Sequence, residues 1–292
     1  MSVSIKAARQ PLLRDFSLAQ RNWLMPAAVF LLLFFVAPLV HNLWRSFTGT
    51  HGTPSAAGVG ADYVKLFADA YYRGVLLNTL KVSLIATVIS LLLSYPVAYF
   101  LVRYAGNAQG LLIACMIAPL LTSVIMRTLG IQLLLARRGA FNGTVAQWLH
   151  LPPLPPDLLY GPTSVYIGIV HVLIPFMVLS IAPVLQRIHP AVEESAQVLG
   201  AGAWHTFWHV TLPLSREGIY TGCILVFVLA NGSFITQLLL GRGSVVTMPV
   251  LIYQQFNVTR DTVFASAMGN VLLALSLVCL SLQSILSGKR RA

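Results

Sequence analysis

Apolar residues run for membrane-crossing lengths six times along the chain, at about residues 23–43, 75–102, 111–135, 164–185, 218–240 and 262–286. Each reaches the roughly 20 residues that an α-helix needs to cross a hydrocarbon core. The ten-residue alternation of an outer-membrane strand is absent, so the pattern predicts an all-α integral membrane protein with six transmembrane helices. Prolines punctuate the runs: Pro26 and Pro38 in the first, Pro96 in the second, Pro175 and Pro183 in the fourth. Each withdraws a backbone donor, and Pro38 is expected to kink its helix. The polar segment THGTPSAAGVGADY follows the first run and leads to one amphipathic turn near Val64 to Tyr71. The short connection AGNAQG makes the second and third runs an antiparallel hairpin, and the proline cluster LPPLPP at 151–156 admits no helix.

One interruption differs from the others. Glu193 to Ile219, EESAQVLGAGAWHTFWHVTLPLSREGI, is polar and charge-bearing yet carries helical signals. Glu193, Glu194 and Ser195 offer negative charge and a cap at a helix start. Gly200 to Gly202 supply a break, Ala203 to Val210 a second short helix, and Pro213 marks the entry to the fifth span. The stretch reads as helix, glycine turn, helix beside the membrane.

Composition strengthens the membrane assignment. Of 292 residues 57% are hydrophobic and 9% charged, against about 25% charged in an average soluble domain, and the mean hydropathy is +0.78. Nineteen Lys and Arg against eight Asp and Glu give a net charge of +11. The basic residues cluster at helix ends, where they meet anionic lipid headgroups, and no basic stripe interleaved with aromatics suggests nucleic acid. The first run is too long for a cleaved signal core. Ten basic residues (Lys6, Arg9, Arg14, Arg21, Arg103, Arg187, Arg216, Lys289, Arg290 and Arg291) share the side of the termini, against eight opposite, with Arg127 inside a span. The positive-inside rule then puts both termini and the Glu193–Ile219 stretch in the cytoplasm. Cys115, Cys223 and Cys279 fall inside spans without CxxC pairing and read as packing residues.

Within the spans the polar inventory is small. Arg127 is an intramembrane cation, balanced between a structural role toward carbonyls or phosphate and a cavity-lining one. Asn231, Ser233, Thr236 and Gln237 in the fifth span and Asn270 in the sixth suggest a water-facing surface, with tight packing through Gly232 and Ser233 as the alternative. His171 reads as a hydrogen-bonded packing residue. His205 and His209 stand four apart with no third ligand spaced for a metal.

The spacing Glu194-Ser195-Ala196, three residues, Gly200, nine residues, Val210-Thr211-Leu212-Pro213 resembles the EAA signature of ABC importer permeases, with Ser195 for an Ala and Val210 for an Ile. The segments NTLKVSLIATVISLLLSYPVAYFLVR, APLLTSVIMRTLG, RRGAFNGTV and TSVYIGIVHVLIPFMVL resemble the spermidine/putrescine-type branch. The resemblance implies a type I ABC importer permease architecture with a cytoplasmic coupling helix, multi-pass in a bacterial inner membrane. It divides the chain into a cytoplasmic N-terminal segment (1–22), a permease domain (23–286) with its EAA loop at 189–217, and a basic tail (287–292).

By the same resemblance the ATPase-coupling residues are Glu193, Glu194, Ala196, Gly200, Ala203, Trp204, Phe207, Leu212 and Pro213. The implied partners are a cytoplasmic ABC ATPase dimer, a second and non-identical permease subunit, a periplasmic or extracellular solute-binding protein, and membrane lipid. The chain has no GxxxxGK[ST] phosphate loop, so ATP and Mg are expected on the partner ATPase, with no cofactor or catalytic residue in this chain. Family members often carry an acid where Ser233 stands and a proline where Gln237 stands. This chain departs from both and has no Asp or Glu in any span, which leaves polyamines, opines and aminophosphonates open as solutes. An ion-gradient-driven transporter would instead show an inverted repeat or an intramembrane acid, and a membrane enzyme a motif such as HExxH. The sequence shows none of these.

Overall fold

The computed structural model describes residues 18–47, 60–136, 139 and 159–288. Most of the N-terminal segment, Arg137 and Arg138, the proline cluster and the last four residues of the basic tail lie outside the described residues. Among the described residues all regular structure is helical.

The first run forms α1 (Leu18–Leu31), a π turn (Leu32–Val36) and α2 (Ala37–Arg45). Pro38 has no N–H for the Phe34 carbonyl, and the Ala37 N–H reaches back five residues to Leu32 O. The expected kink is therefore absorbed as a π turn just ahead of the proline. The apolar window of this helix has no buried residue. It is tied down near its end, where Asn42 Nδ2 donates to Asn270 Oδ1 at 2.8 Å and Arg45 Nη2 to Thr262 Oγ1 at 3.1 Å. The predicted amphipathic turn is α3 (Ala61–Ala68), with Leu66 buried beneath it. Beside it, burial and then the nearby Asp261 push the Asp62 carboxyl above the ordinary carboxylate range, opposed by Lys65.

The centre is a three-helix packing of α4 (Ala70–Arg103), α7 (Pro162–Arg187) and α11 (Arg216–Asn231). α4 starts at Asp69, whose carboxylate accepts the Tyr71 N–H at 2.8 Å, a regular N-cap. The helices meet on small residues. Thr79, Ser83, Thr87, Ser90 and Ser94 form a buried stripe along α4, two of the hydroxyls bonding their own helix, Thr79 to Val75 O and Thr87 to Ser83 O. A Cβ added at Gly222 of α11 would stand 2.7 Å from Met177 Sδ of α7, so that crossing depends on the missing side chain. Ala86, Ala98, Met177, Ile181, Val226 and Ala230 fill the shared core.

Two spans differ from the continuous helices expected. The third run is α5 (Gln109–Ile117), a 3-10 turn (Ala118–Leu121) and α6 (Val124–Leu135), bent by 97° between the halves. Pro119 starts the tightened turn, and Thr122 and Ser123 are extended at ψ 151° and 136°. The fifth run ends as a helix at Asn231 and resumes only in α12 (Ile235–Gly241). Asn, Gly and Ser are poor helix formers placed in succession there, and the Gly232 and Ser233 N–H groups turn back on Val228 and Ala230 carbonyls. A further helix that the sequence did not suggest, α13 (Met248–Gln254), continues in a π turn (Gln255–Thr259) and packs on α14 (Thr262–Gly288). Seven residues fall far short of a span, but buried Met248 and Leu251 join Phe264, Met268 and Leu66 in a second core.

Candidate functional site

The loop between α7 and α11 begins with α8 (Pro190–Val198). Pro190 costs nothing in a first turn, and His189 caps the helix, its Nδ1 accepting the Ala191 N–H at 3.2 Å. This corrects the cap expected at Glu193 to Ser195: those residues lie inside the helix, with the Ser195 hydroxyl bonded back to Ala191 O at 2.6 Å. Gly200 then adopts φ +92°. Its N–H bonds Gln197 O at 2.9 Å while the Ala201 N–H bonds Ala196 O at 3.0 Å, the paired closure of a Schellman turn, whose left-handed residue is most often glycine. After the turn come α9 (Ala203–Thr206), a π turn (Phe207–Thr211) and α10 (Leu212–Leu214). The second helix thus outlasts the expected Val210. Pro213 cannot donate to the His209 carbonyl, and the Leu212 N–H reaches back to Phe207 O instead. A 66° bend at Ser215 joins this helix to α11.

The expected coupling residues divide into two groups. Glu194, Gly200, Ala203 and Trp204 are exposed, and the turn carries Val198 at 87%, Leu199 at 88% and Trp204 at 73% exposure. Such an apolar tip on a polar loop is the composition of a contact surface. Glu193 lies apart from that surface. It is buried, pairs with Arg103 Nη2 at 2.9 Å and accepts the Thr211 hydroxyl at 2.9 Å. Arg103 also donates to Ile188 O at 3.1 Å. Phe207 likewise turns inward, edge-on to Tyr95 at 5.5 Å and Tyr99 at 6.3 Å, and Leu212 packs against the central core. Ala196 and Pro213 are half-buried. Tyr95 and Ser215 hydroxyls meet at 2.9 Å, so both helices of the loop are tied to the end of α4. The His205 and His209 rings stack at 3.9 Å, and no group of three metal-ligating side chains occurs among the described residues.

A cavity of about 470 Å³ opens where the two broken spans face each other. Arg127 of α6, Leu173 and Phe176 of α7, and Ser233, Phe234 and Thr236 at the break between α11 and α12 line it. Arg127, Ser233 and Thr236 are thus brought together. Arg127 Nη2 donates to Thr122 O at 3.3 Å, but its Nε and Nη1 are buried without a partner. Among the described residues that line the cavity there is no Asp or Glu, and Arg127 is the one fixed charge. Asn231 and Gln237 sit beside the break but bond elsewhere, Asn231 Nδ2 to Ser276 Oγ at 3.5 Å and Gln237 Oε1 to the Thr247 hydroxyl. Asn270 stands apart from the cavity, in a network with Asn42, Ser46 and Tyr63. Arg242 lies over the Tyr160 ring at 4.1 Å.

Residues 84–292 match the model of the family described as binding-protein-dependent transport system inner membrane component. The chain belongs to this family. The permease is 33% identical over 206 residues to the spermidine/putrescine transport system permease protein PotB of Escherichia coli, across 70% of this chain and 74% of PotB. It is 27% identical over 230 residues to the sulfate transport system permease protein CysW of a Synechocystis strain, across 77% of this chain and 80% of CysW. The crystal structure of a bacterial ABC transporter involved in the import of the acidic polysaccharide alginate superposes with a TM-score of 0.73, over 94% of this chain and 98% of that one, at 17% identity. That last likeness concerns the fold alone. The protein is a multi-pass inner-membrane permease subunit of a binding-protein-dependent ABC importer.

Three parts of the permease site had no clear signal in the sequence. Arg103 reads as an ordinary basic residue at a span end, and nothing local pairs it with Glu193, ninety positions away. Gln132, whose Nε2 donates to Leu239 O at 2.6 Å and ties α6 to α12, is a lone amide in an apolar run. The exposed Val198 and Leu199 look like any apolar pair near a helix end.

Proposed function

We propose that this permease forms half of the translocation pathway of an ATP-driven importer and that its loop from Pro190 to Leu214 is the contact for a dimer of cytoplasmic ATPases. ATP and Mg are held by those ATPases, a second, non-identical permease closes the pathway, a binding protein delivers solute from outside, and both termini lie in the cytoplasm. The PotB relatives support a polyamine as the solute, and the absence of Asp and Glu from the spans keeps an opine or an aminophosphonate as the alternative.

The observation that carries this reading is the loop's construction: a helix-turn-helix with an apolar, exposed tip and a base locked into the bundle by the Arg103, Glu193 and Thr211 node. A push on the tip passes through the bend at Ser215 into α11. The far end of α11 is the break that lines the cavity. Closure of two ATPases would therefore move rigid elements and bias a two-state gate rather than deform the bundle continuously.

The test is transport in proteoliposomes containing the permease, a second EAA-bearing permease, an ATPase and a binding protein from the same source, with labelled putrescine and 2-aminoethylphosphonate as probes. Uptake of one of them is expected to require ATP on the ATPase side and to persist when ionophores collapse ion gradients. Uptake by this chain alone on an imposed proton or sodium gradient would overturn the proposal.

A further inference from the structure

We infer that the cavity at the two broken spans recognises an anionic group on the solute, a carboxylate or phosphonate, and that Arg127 is the residue that reads it. The inference rests on the transport reading above and narrows its solute class.

A guanidinium carries five N–H donors in a planar fork that matches two oxygens of a carboxylate or phosphonate. In this permease the fork is largely unspent. Nη2 has the long bond to Thr122 O, while Nε and Nη1 have no partner and are closed off from the open space, so a turn of the half-buried side chain brings them to a ligand in the cavity. Buried donors are normally satisfied, and a buried charge is normally paired. Here the adjoining space is a cavity of about 470 Å³, within the range of small-molecule sites. Its other polar side chains are the hydroxyl-bearing Ser233 and Thr236, which can complete the oxygen contacts but cannot neutralise the cation. Without a carboxylate in the lining, an anionic solute group gains both charge and hydrogen bonds there, and a bare polyamine meets repulsion. Phe176 and Phe234 line the same cavity and offer ring faces that attract an ammonium. The site therefore suits a small zwitterion, with its anionic end on Arg127 and its amine toward the rings.

The assembled complex of this permease, its second permease and the ATPases, held in nanodiscs without binding protein, tests this by thermal-shift titration. The probes are 2-aminoethylphosphonate, β-alanine and spermidine. The two zwitterions are expected to raise the unfolding midpoint of the native complex, and spermidine is not. Arg127→Gln should weaken the zwitterion response by about tenfold or more, the loss of a charge-assisted contact. Arg127→Lys, which keeps the charge but not the fork, should recover part of it, and Arg127→Glu should make spermidine the stabilising probe. If Arg127→Gln does not assemble, the comparison of probes on the native complex still decides. The inference is overturned if spermidine stabilises the native complex as well as the zwitterions do. It is equally overturned if Arg127→Gln responds like the native protein, as it would were the guanidinium paired with a carboxylate of the second permease. Failure of the chain to assemble with an ATPase would instead contradict the transport reading, and the inference would fall with it.

Discussion

Gly200→Asp is expected to abolish uptake while leaving the permease inserted in the membrane at its normal level. Gly200 is the left-handed residue of the turn, at φ +92°, and a Cβ there meets nothing within 4 Å. A side chain thus adds backbone strain of about 1 kcal/mol and no clash. Asn and Asp tolerate this conformation better than other residues, so the pair Gly200→Asn and Gly200→Asp separates backbone from charge. Asparagine should keep most uptake. Aspartate places a carboxylate beside the exposed Val198, Leu199 and Trp204, where a docked ATPase would bury it unpaired at a cost of several kcal/mol. At about 1.4 kcal/mol per tenfold, the expected loss exceeds a hundredfold. Membrane fractionation and uptake measured on the same cells check both halves, and equal activity of the two variants would remove the charge argument.

Breaking the Arg103 and Glu193 pair is expected to uncouple the loop rather than unfold the bundle. Removing one partner of a buried ion pair costs about 3–5 kcal/mol in full burial. This pair sits at the bundle end with 11% of each side chain exposed, so the cost is discounted to about 2 kcal/mol. Glu193→Ala also strands the Thr211 hydroxyl, whereas Arg103→Met leaves a buried carboxylate. Either should speed hydrogen exchange across Pro190–Leu214 by about thirtyfold, leave α4 and α7 protected, and lower solute moved per ATP hydrolysed. The double variant Arg103→Met with Glu193→Leu should restore protection in part, since an apolar pair of similar volume replaces such a bridge at little cost. Unchanged exchange in both single variants would show that the node does not hold the loop.

How much of this was legible in the sequence depends on whether a local signal existed. The first, second, fourth and sixth spans follow from uninterrupted apolar runs. The breaks in the third and fifth do not, because hydropathy continues through LTSVIM and through ITQLLL on either side of the turns. Pro119 and the succession Asn231, Gly232, Ser233 were the available signs; the succession reads equally as the polar face of a continuous helix, and a lone proline does not mark a 97° bend. Those breaks place Arg127, Ser233 and Thr236 around one cavity, so the cavity could not be drawn from the runs alone. In the loop the glycine turn was legible and the direction of the side chains was not. Glu193 and Glu194 are neighbours in sequence, yet about 100° apart around a helix. One enters an ion pair with a residue ninety positions away while the other faces outward.

The central claim is that the tip of this loop is what the ATPase pushes on. A photo-crosslinking amino acid placed at Leu199 or Trp204 in the assembled, transport-competent complex tests it most directly. Both positions are expected to crosslink to the ATPase, while the same probe at Asn270 in the bundle gives no such product. A complex that hydrolyses ATP and transports, yet yields no ATPase crosslink from either loop position, would contradict the account.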